Sequence, residues 1–143
     1  MSRPTSLRLP EALRTRLDDE SRRIASAPSS LAVVLIDEGL KMRRFPGIVF
    51  RDGPAGRRAG LASGPDVWEI VRDLKRHGTD PDSDADPVHL VASETGLAPE
   101  LVGLAADYYA TFPDEIDDRI AADTRAAEEM RALADRRERM LSA

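Results

Sequence analysis

The chain contains no cysteine, which excludes disulfides and thiolate metal sites. Histidine occurs only at His77 and His89, too few for a His-rich metal centre. No apolar run approaches the ~18 residues that span a bilayer. The first long apolar run begins only at Leu31, so no secretory leader is expected. No Ser-His-Asp set is suggested by local spacing. The glycine-rich stretch Gly53-Pro-Ala-Gly-Arg-Arg-Ala-Gly60 has neither the Gly-Lys-Ser/Thr of a P-loop nor a dinucleotide fingerprint, and reads as a hairpin. These absences predict a cytoplasmic protein that is not an enzyme and needs no cofactor or metal.

What is present supports a folded chain. Hydrophobic residues make up 41% of 143, enough to build a core. The net charge of −5 is unevenly spread. Residues 1–44 carry nine Lys/Arg and six Asp/Glu, a net of +3. Residues 45–77 carry six and four, a net of +2, and residues 78–143 carry six and sixteen, a net of −10. A basic front and an acidic back predict two surfaces with two different partners.

At the front, Thr5, Leu7 and Leu9 alternate with Ser6 and Arg8, the period of a half-buried strand. Pro10 suits a first helical residue, which needs no N–H partner. Leu13, Leu17 and Ile24 follow at helical spacing, and Ala27-Pro28 is expected to end this helix. Ser29 and Ser30 are expected to cap a second helix through Leu31-Ala-Val-Val-Leu-Ile36 to Arg44. That helix is apolar on most sides and must be buried on most sides. One strand and two helices in ~44 residues cannot bury a core alone. A lone strand also leaves backbone groups unsatisfied. A second copy, its strand pairing across a two-fold axis, would supply both needs.

Strand, helix, helix in this order, with LRLPEAL at the strand-to-helix switch, resembles the ribbon-helix-helix repressors of the MetJ, Arc and CopG group over residues 3–44. The resemblance implies an intertwined dimer whose two-stranded ribbon enters the major groove of double-stranded operator DNA. It places Pro4, Ser6 and Arg8 toward the bases. Arg8 has the fork to bind guanine O6 and N7, and Ser6 is weakly selective. Pro4 departs from the pattern, having no polar side chain. The resemblance also puts the helix start at Ser29 and Ser30 against a phosphate. Arg3, Arg43 and Arg44 would add salt-dependent attraction.

Beyond Arg44, Gly47-Ile-Val-Phe-Arg51 and Arg57–Ala62 read as strands around the turn Asp52-Gly-Pro-Ala-Gly56. Ser63-Gly-Pro-Asp66 opens a helix that ends near Gly78. Asp80-Pro-Asp-Ser-Asp-Ala-Asp86 alternates carboxylates as calcium loops do, but Ala85 and Val91 stand where glycine and glutamate are needed, so a solvated linker is expected. Helices over 87–95 and 98–111, joined through Thr95-Gly-Leu-Ala98, read as a helix-turn-helix. The runs GIVFRDGPAGRRAGLASGPDVWE and YYATFPDEIDDRIA resemble small helical domains of antitoxins encoded beside PIN-like nuclease toxins, over residues 45–123. The acidic loop at 79–87 is longer than in the compact form of those domains.

From Ile116 the last helix repeats in fours and threes: Ile116, Ile120, Asp123, Ala127, Met130, Ala134, Arg137, Leu141. Its alanines make the stripe too thin to be stable alone, which suits a helix that lies in a partner's groove. Tyr109, Ile116, Ile120, Arg125, Met130, Arg131 and Arg137 are the candidate partner-binding residues. If the partner is a PIN-like nuclease, an arginine from 125, 131, 136, 137 or 139 would pair with its metal-binding carboxylates.

The whole reads as a mainly α protein. Residues 1–44 form a ribbon-helix-helix homodimer, 45–112 a small helical domain with a short hairpin and helix-turn-helix, and 113–143 a helix that binds a toxin. The expected function is that of a dimeric antitoxin and transcriptional repressor. Two alternatives stay open: a stand-alone repressor whose second domain oligomerises or senses a ligand, and DNA reading by the helix-turn-helix instead of the ribbon.

Overall fold

A computed structural model describes residues 2–79 and 84–142. Most of the acidic 80–86 loop lies outside the described residues. Among the described residues the chain is mainly helical, with six helices and one two-stranded antiparallel sheet. It divides into two compact units, residues 1–44 and 45–143.

In the first unit, residues 2–10 form no hydrogen-bonded secondary structure within the single chain. Helix α1 spans Glu11–Arg23 and α2 spans Pro28–Arg44. Pro10 precedes α1 in an extended conformation as its N-cap, one position earlier than the sequence suggests. The end of α1 also differs: the helix stops at Arg23, well before Ala27-Pro28. Ser26 N–H bonds the Ser21 carbonyl at 2.9 Å and Ala25 N–H bonds Arg22 at 3.3 Å, a Schellman closure with Ala25 at φ +54°. An alanine there carries a Cβ clash that glycine avoids.

Helix α2 starts at Pro28, so Ser29 and Ser30 are not caps; they lie in the first turn. Proline is well placed there because an N–H at that position has no intrahelical acceptor. Of the apolar run only Leu31 is buried; Val33, Val34, Leu35, Ile36 and Leu40 stay exposed, Val33 at 67%. The deep burial expected for this helix is therefore not achieved within one chain.

The second unit holds a continuous core. Strands β1 (Ile48–Arg51) and β2 (Arg58–Leu61) pair with Ile48 opposite Leu61 and Arg51 opposite Arg58. Helix α3 (Val67–Gly78) starts with a capping box in which the Asp66 carboxylate accepts from the third residue and Asp66 N–H donates to Glu69 at 3.0 Å. Helices α4 (Pro87–Thr95) and α5 (Pro99–Thr111) are joined at Gly96, which closes α4 at φ +73°. Val67, Ile70, Val71, Val91, Val102, Ala105 and Tyr108 meet Ile48 and Leu61 in this core. Phe45, Tyr108 and Phe112 stack edgewise or tilted, with Phe45 and Tyr108 centroids 5.5 Å apart.

Helix α6 runs from Pro113 to Leu141. Its first turns close the core through Ile116, and every residue from 128 to 142 is exposed. About four turns, roughly 21 Å at 1.5 Å per residue, thus project as a free helical arm.

Candidate nucleic-acid interface

Leu7 and Leu9 line a groove of about 660 Å³ with Leu13, Leu17, Leu35 and Ile36, all from the first unit. Ser6 and Arg8, the alternate residues, are exposed and do not line it. The period-two pattern therefore separates an apolar side from a polar one, although no strand partner for this segment is present among the described residues. Leu7 remains 64% exposed, so the groove is open on its outer side.

The charges around this face divide into paired and unpaired sets. On α1, Arg14 pairs with Asp18 at 3.1 Å, Arg22 with Asp19 and Arg23 with Glu20. The Arg23 guanidinium holds the Glu20 carboxyl below its ordinary value. Arg3 and Arg8 form no ion pair among the described residues and remain available to an external anion. Ser29 and Ser30 sit where backbone N–H groups at a helix start have no intrahelical acceptor. What this end of α2 offers a phosphate is main-chain donors and dipole, since the cap role expected of the serines falls away.

The α4–α5 pair in the second unit, where a helix-turn-helix is expected, has a different character. Between Pro87 and Thr111 there is no lysine or arginine, while Glu94, Glu100 and Asp107 are all exposed. Phosphate contacts dominate nucleic-acid affinity, so this pair of helices is a poor DNA reader by charge alone.

The partner-binding candidates, Tyr109 on α5 and the rest on α6, fall into two groups. Ile116 is 3% exposed and packs in the core, so it is not a contact for a partner; this corrects the expectation for that residue. Ile120 packs half-buried against the same core. Tyr109 is committed internally: its hydroxyl donates to Asp117 at 3.1 Å, and Lys75 Nζ lies 4.7 Å from its ring centre. The Lys75–Asp117 hydrogen bond raises the lysine and lowers the carboxyl relative to their ordinary values. Arg125, Met130, Arg131 and Arg137 are exposed, Met130 at 72%. Leu133, Met140 and Leu141, also exposed, extend the apolar character of the arm. Leu133 and Met140 lie off the repeat counted from Ile116 and were legible only by starting a second count, Ala126, Met130, Leu133, Arg137, Met140.

Sequence reasoning also missed the polar hub that holds the second unit together. The nearly buried Asp66 carboxylate accepts from Arg51 at 3.1 Å, from Arg58 Nε, and from the Trp68 indole at 3.4 Å. Arg51 also donates to the Gly64 carbonyl at 2.9 Å. Among the described residues no three His, Asp or Glu side chains gather as metal ligands, and no helix is long and apolar enough to cross a membrane. Comparison with family models, with curated proteins and with solved structures gave no match to this chain.

Proposed function

We propose that the protein is a dimeric DNA-binding antitoxin and repressor. The observation that carries this reading is the incomplete first unit. Its strand-like segment puts Leu7 and Leu9 on an apolar groove and leaves Ser6 and Arg8 facing out, while α2 exposes five large aliphatic residues. A second copy completes it: two segments pair into an antiparallel ribbon, and the two α2 helices cover each other. Large exposed apolar surface beside a groove marks an interface. The ribbon then presents Ser6 and Arg8 from each chain to the major groove, with Arg3 and the α2 start against phosphates.

The toxin-binding part of the proposal rests on the arm of α6. A helix with four exposed large apolar residues and no core beneath it is suited to a groove on another protein. Met130, Arg125, Arg131 and Arg137 are the residues assigned to that contact, with a PIN-like nuclease as the partner suggested by the resemblance. The acidic second half of the chain stays off DNA by repulsion.

Mobility-shift titration with the DNA upstream of the protein's own reading frame tests the DNA-binding half. Arg8→Ala removes one contact from each chain and is expected to weaken specific binding by at least about 30-fold, the loss of about 1–3 kcal/mol at each of two bidentate contacts. Unchanged affinity for Arg8→Ala, with loss on substitution near Leu97 to Val102, would move recognition to the helix-turn-helix. Co-purification with the product of a neighbouring nuclease-like gene tests the other half. A chain that folds and binds DNA but captures no such product is a stand-alone repressor.

A further inference from the structure

The second unit contains a groove that neither DNA binding nor the arm uses. It holds about 270 Å³ between the hairpin and α6, walled by Arg57, Arg58, Trp68, Glu115, Asp118 and Arg119 over alanine side chains. Most of its charged groups are already engaged. Arg58 Nε is bound to Asp66, Arg57 pairs with Asp52 at 3.2 Å, and Glu115 accepts the Tyr108 hydroxyl at 2.9 Å. Arg119 is different. It forms no ion pair among the described residues, its Nε is buried without an acceptor, and its guanidinium carbon lies 5.2 Å from the centre of the Trp68 ring.

A buried N–H without an acceptor is uncommon and costly. The tryptophan ring steadies the cation without neutralising it, so its full charge remains for an anion. Arg57 and Arg58 on the same wall are already paired with Asp52 and Asp66, which leaves Arg119 as the cation that an anion can meet. Asp118, itself without a partner among the described residues, and Glu115 set the opposite limit. Two carboxylates on the wall repel a polyanion but leave room for one anionic group.

We propose that this groove binds a small molecule through a single oxyanion, a carboxylate or a phosphate, received by the Arg119 guanidinium. Guanidinium geometry suits both groups. The site would make the second unit a sensor, in addition to whatever the first unit binds.

Trp68 is the chain's single tryptophan and forms part of the wall, so its fluorescence reports occupancy. The full-length protein is titrated with inorganic phosphate and, separately, with acetate, at ionic strength held constant with sodium chloride. A saturable change is expected, with phosphate alone assigning a phosphate ligand and acetate alone a carboxylate. Arg119→Gln should weaken binding by about tenfold or more, the loss of a charge-assisted hydrogen bond. Asp118→Asn should tighten it by removing a like charge. Ala122→Glu, on the groove side of α6, should abolish it while circular dichroism shows the helices intact. No saturable change with either anion, or an equal change in Arg119→Gln and Ala122→Glu, overturns the proposal. No DNA enters the experiment, so its outcome is separate from that of the repressor reading.

Discussion

Arg51 and Asp66, fifteen residues apart, meet at 3.1 Å, and the same carboxylate holds Arg58 from the facing strand. Asp66 therefore ties both strands of the hairpin to the start of α3. Replacing it with alanine leaves two guanidiniums without their partner and removes a helix cap. Asp66→Ala is expected to destabilise the second unit by about 3 kcal/mol. Urea unfolding followed by Trp68 fluorescence checks this, because that residue reports the second unit alone. A loss within experimental error of zero would show that the hub is incidental.

Ile116 and Met130 lie on one helix and should behave as opposites. Ile116→Ala removes buried atoms from the core and is expected to cost about 3 kcal/mol by the same unfolding assay. Met130→Ala alters a side chain that is 72% exposed and should change stability by less than about 0.5 kcal/mol. If the arm is a docking helix, Met130→Ala instead weakens partner capture. Truncation after Ala127 should likewise leave Trp68-monitored unfolding unchanged while eliminating that capture.

Ala25 closes α1 in the left-handed region without being glycine. Ala25→Gly relieves that strain and is expected to stabilise the first unit by up to about 1 kcal/mol, net of glycine's greater freedom when unfolded. Thermal unfolding followed by circular dichroism at constant protein concentration reads the gain. Destabilisation would mean that the α1–α2 turn is built differently.

Acid should loosen the second unit through two surface links. His77 Nε2 lies 3.0 Å from Glu94 and holds its carboxyl below the ordinary 4.5, and Lys75 holds Asp117 below 3.8. Carboxyls lowered on folding contribute fully above their ordinary values, and that contribution disappears as pH falls through the lowered ones. Lys75, raised by the same contact, loses its share only as alkaline pH passes its raised value. Unfolding measured from neutral pH downward should show stability falling through the carboxylate range. The double variant Glu94→Gln, Asp117→Asn should fall less steeply than the parent. An equal slope in both proteins would remove these links from the acid response.

Local chemistry made much of this architecture legible in advance. The Asp52–Gly56 turn flanked by β-rich runs gave the hairpin, Ser63-Gly-Pro-Asp66 marked the entry to α3, and Gly96 marked the exit of α4. At Pro28 two local rules compete: the residue before a proline leaves the α region, which predicts the stop of one helix, but proline serves equally as the first residue of the next, and α2 starts there. The Asp66 hub could not be read, because its arginines lie 8 and 15 residues away and only the folded hairpin brings them together. Ile116 fitted the arm's repeat and the core equally well, since one apolar stripe runs from a packed stretch into an unpacked one. The N-terminal segment is harder still, because any strand partner it has lies in another molecule.

The oligomeric state of the full-length protein tests the central claim most directly. Sedimentation equilibrium at micromolar concentration should give a particle of two 15.7 kDa chains, and Leu13→Glu, which places a charge in the apolar groove, should shift it toward one. A stable, folded particle of a single 15.7 kDa chain under those conditions would contradict the shared ribbon and, with it, the proposed mode of DNA recognition.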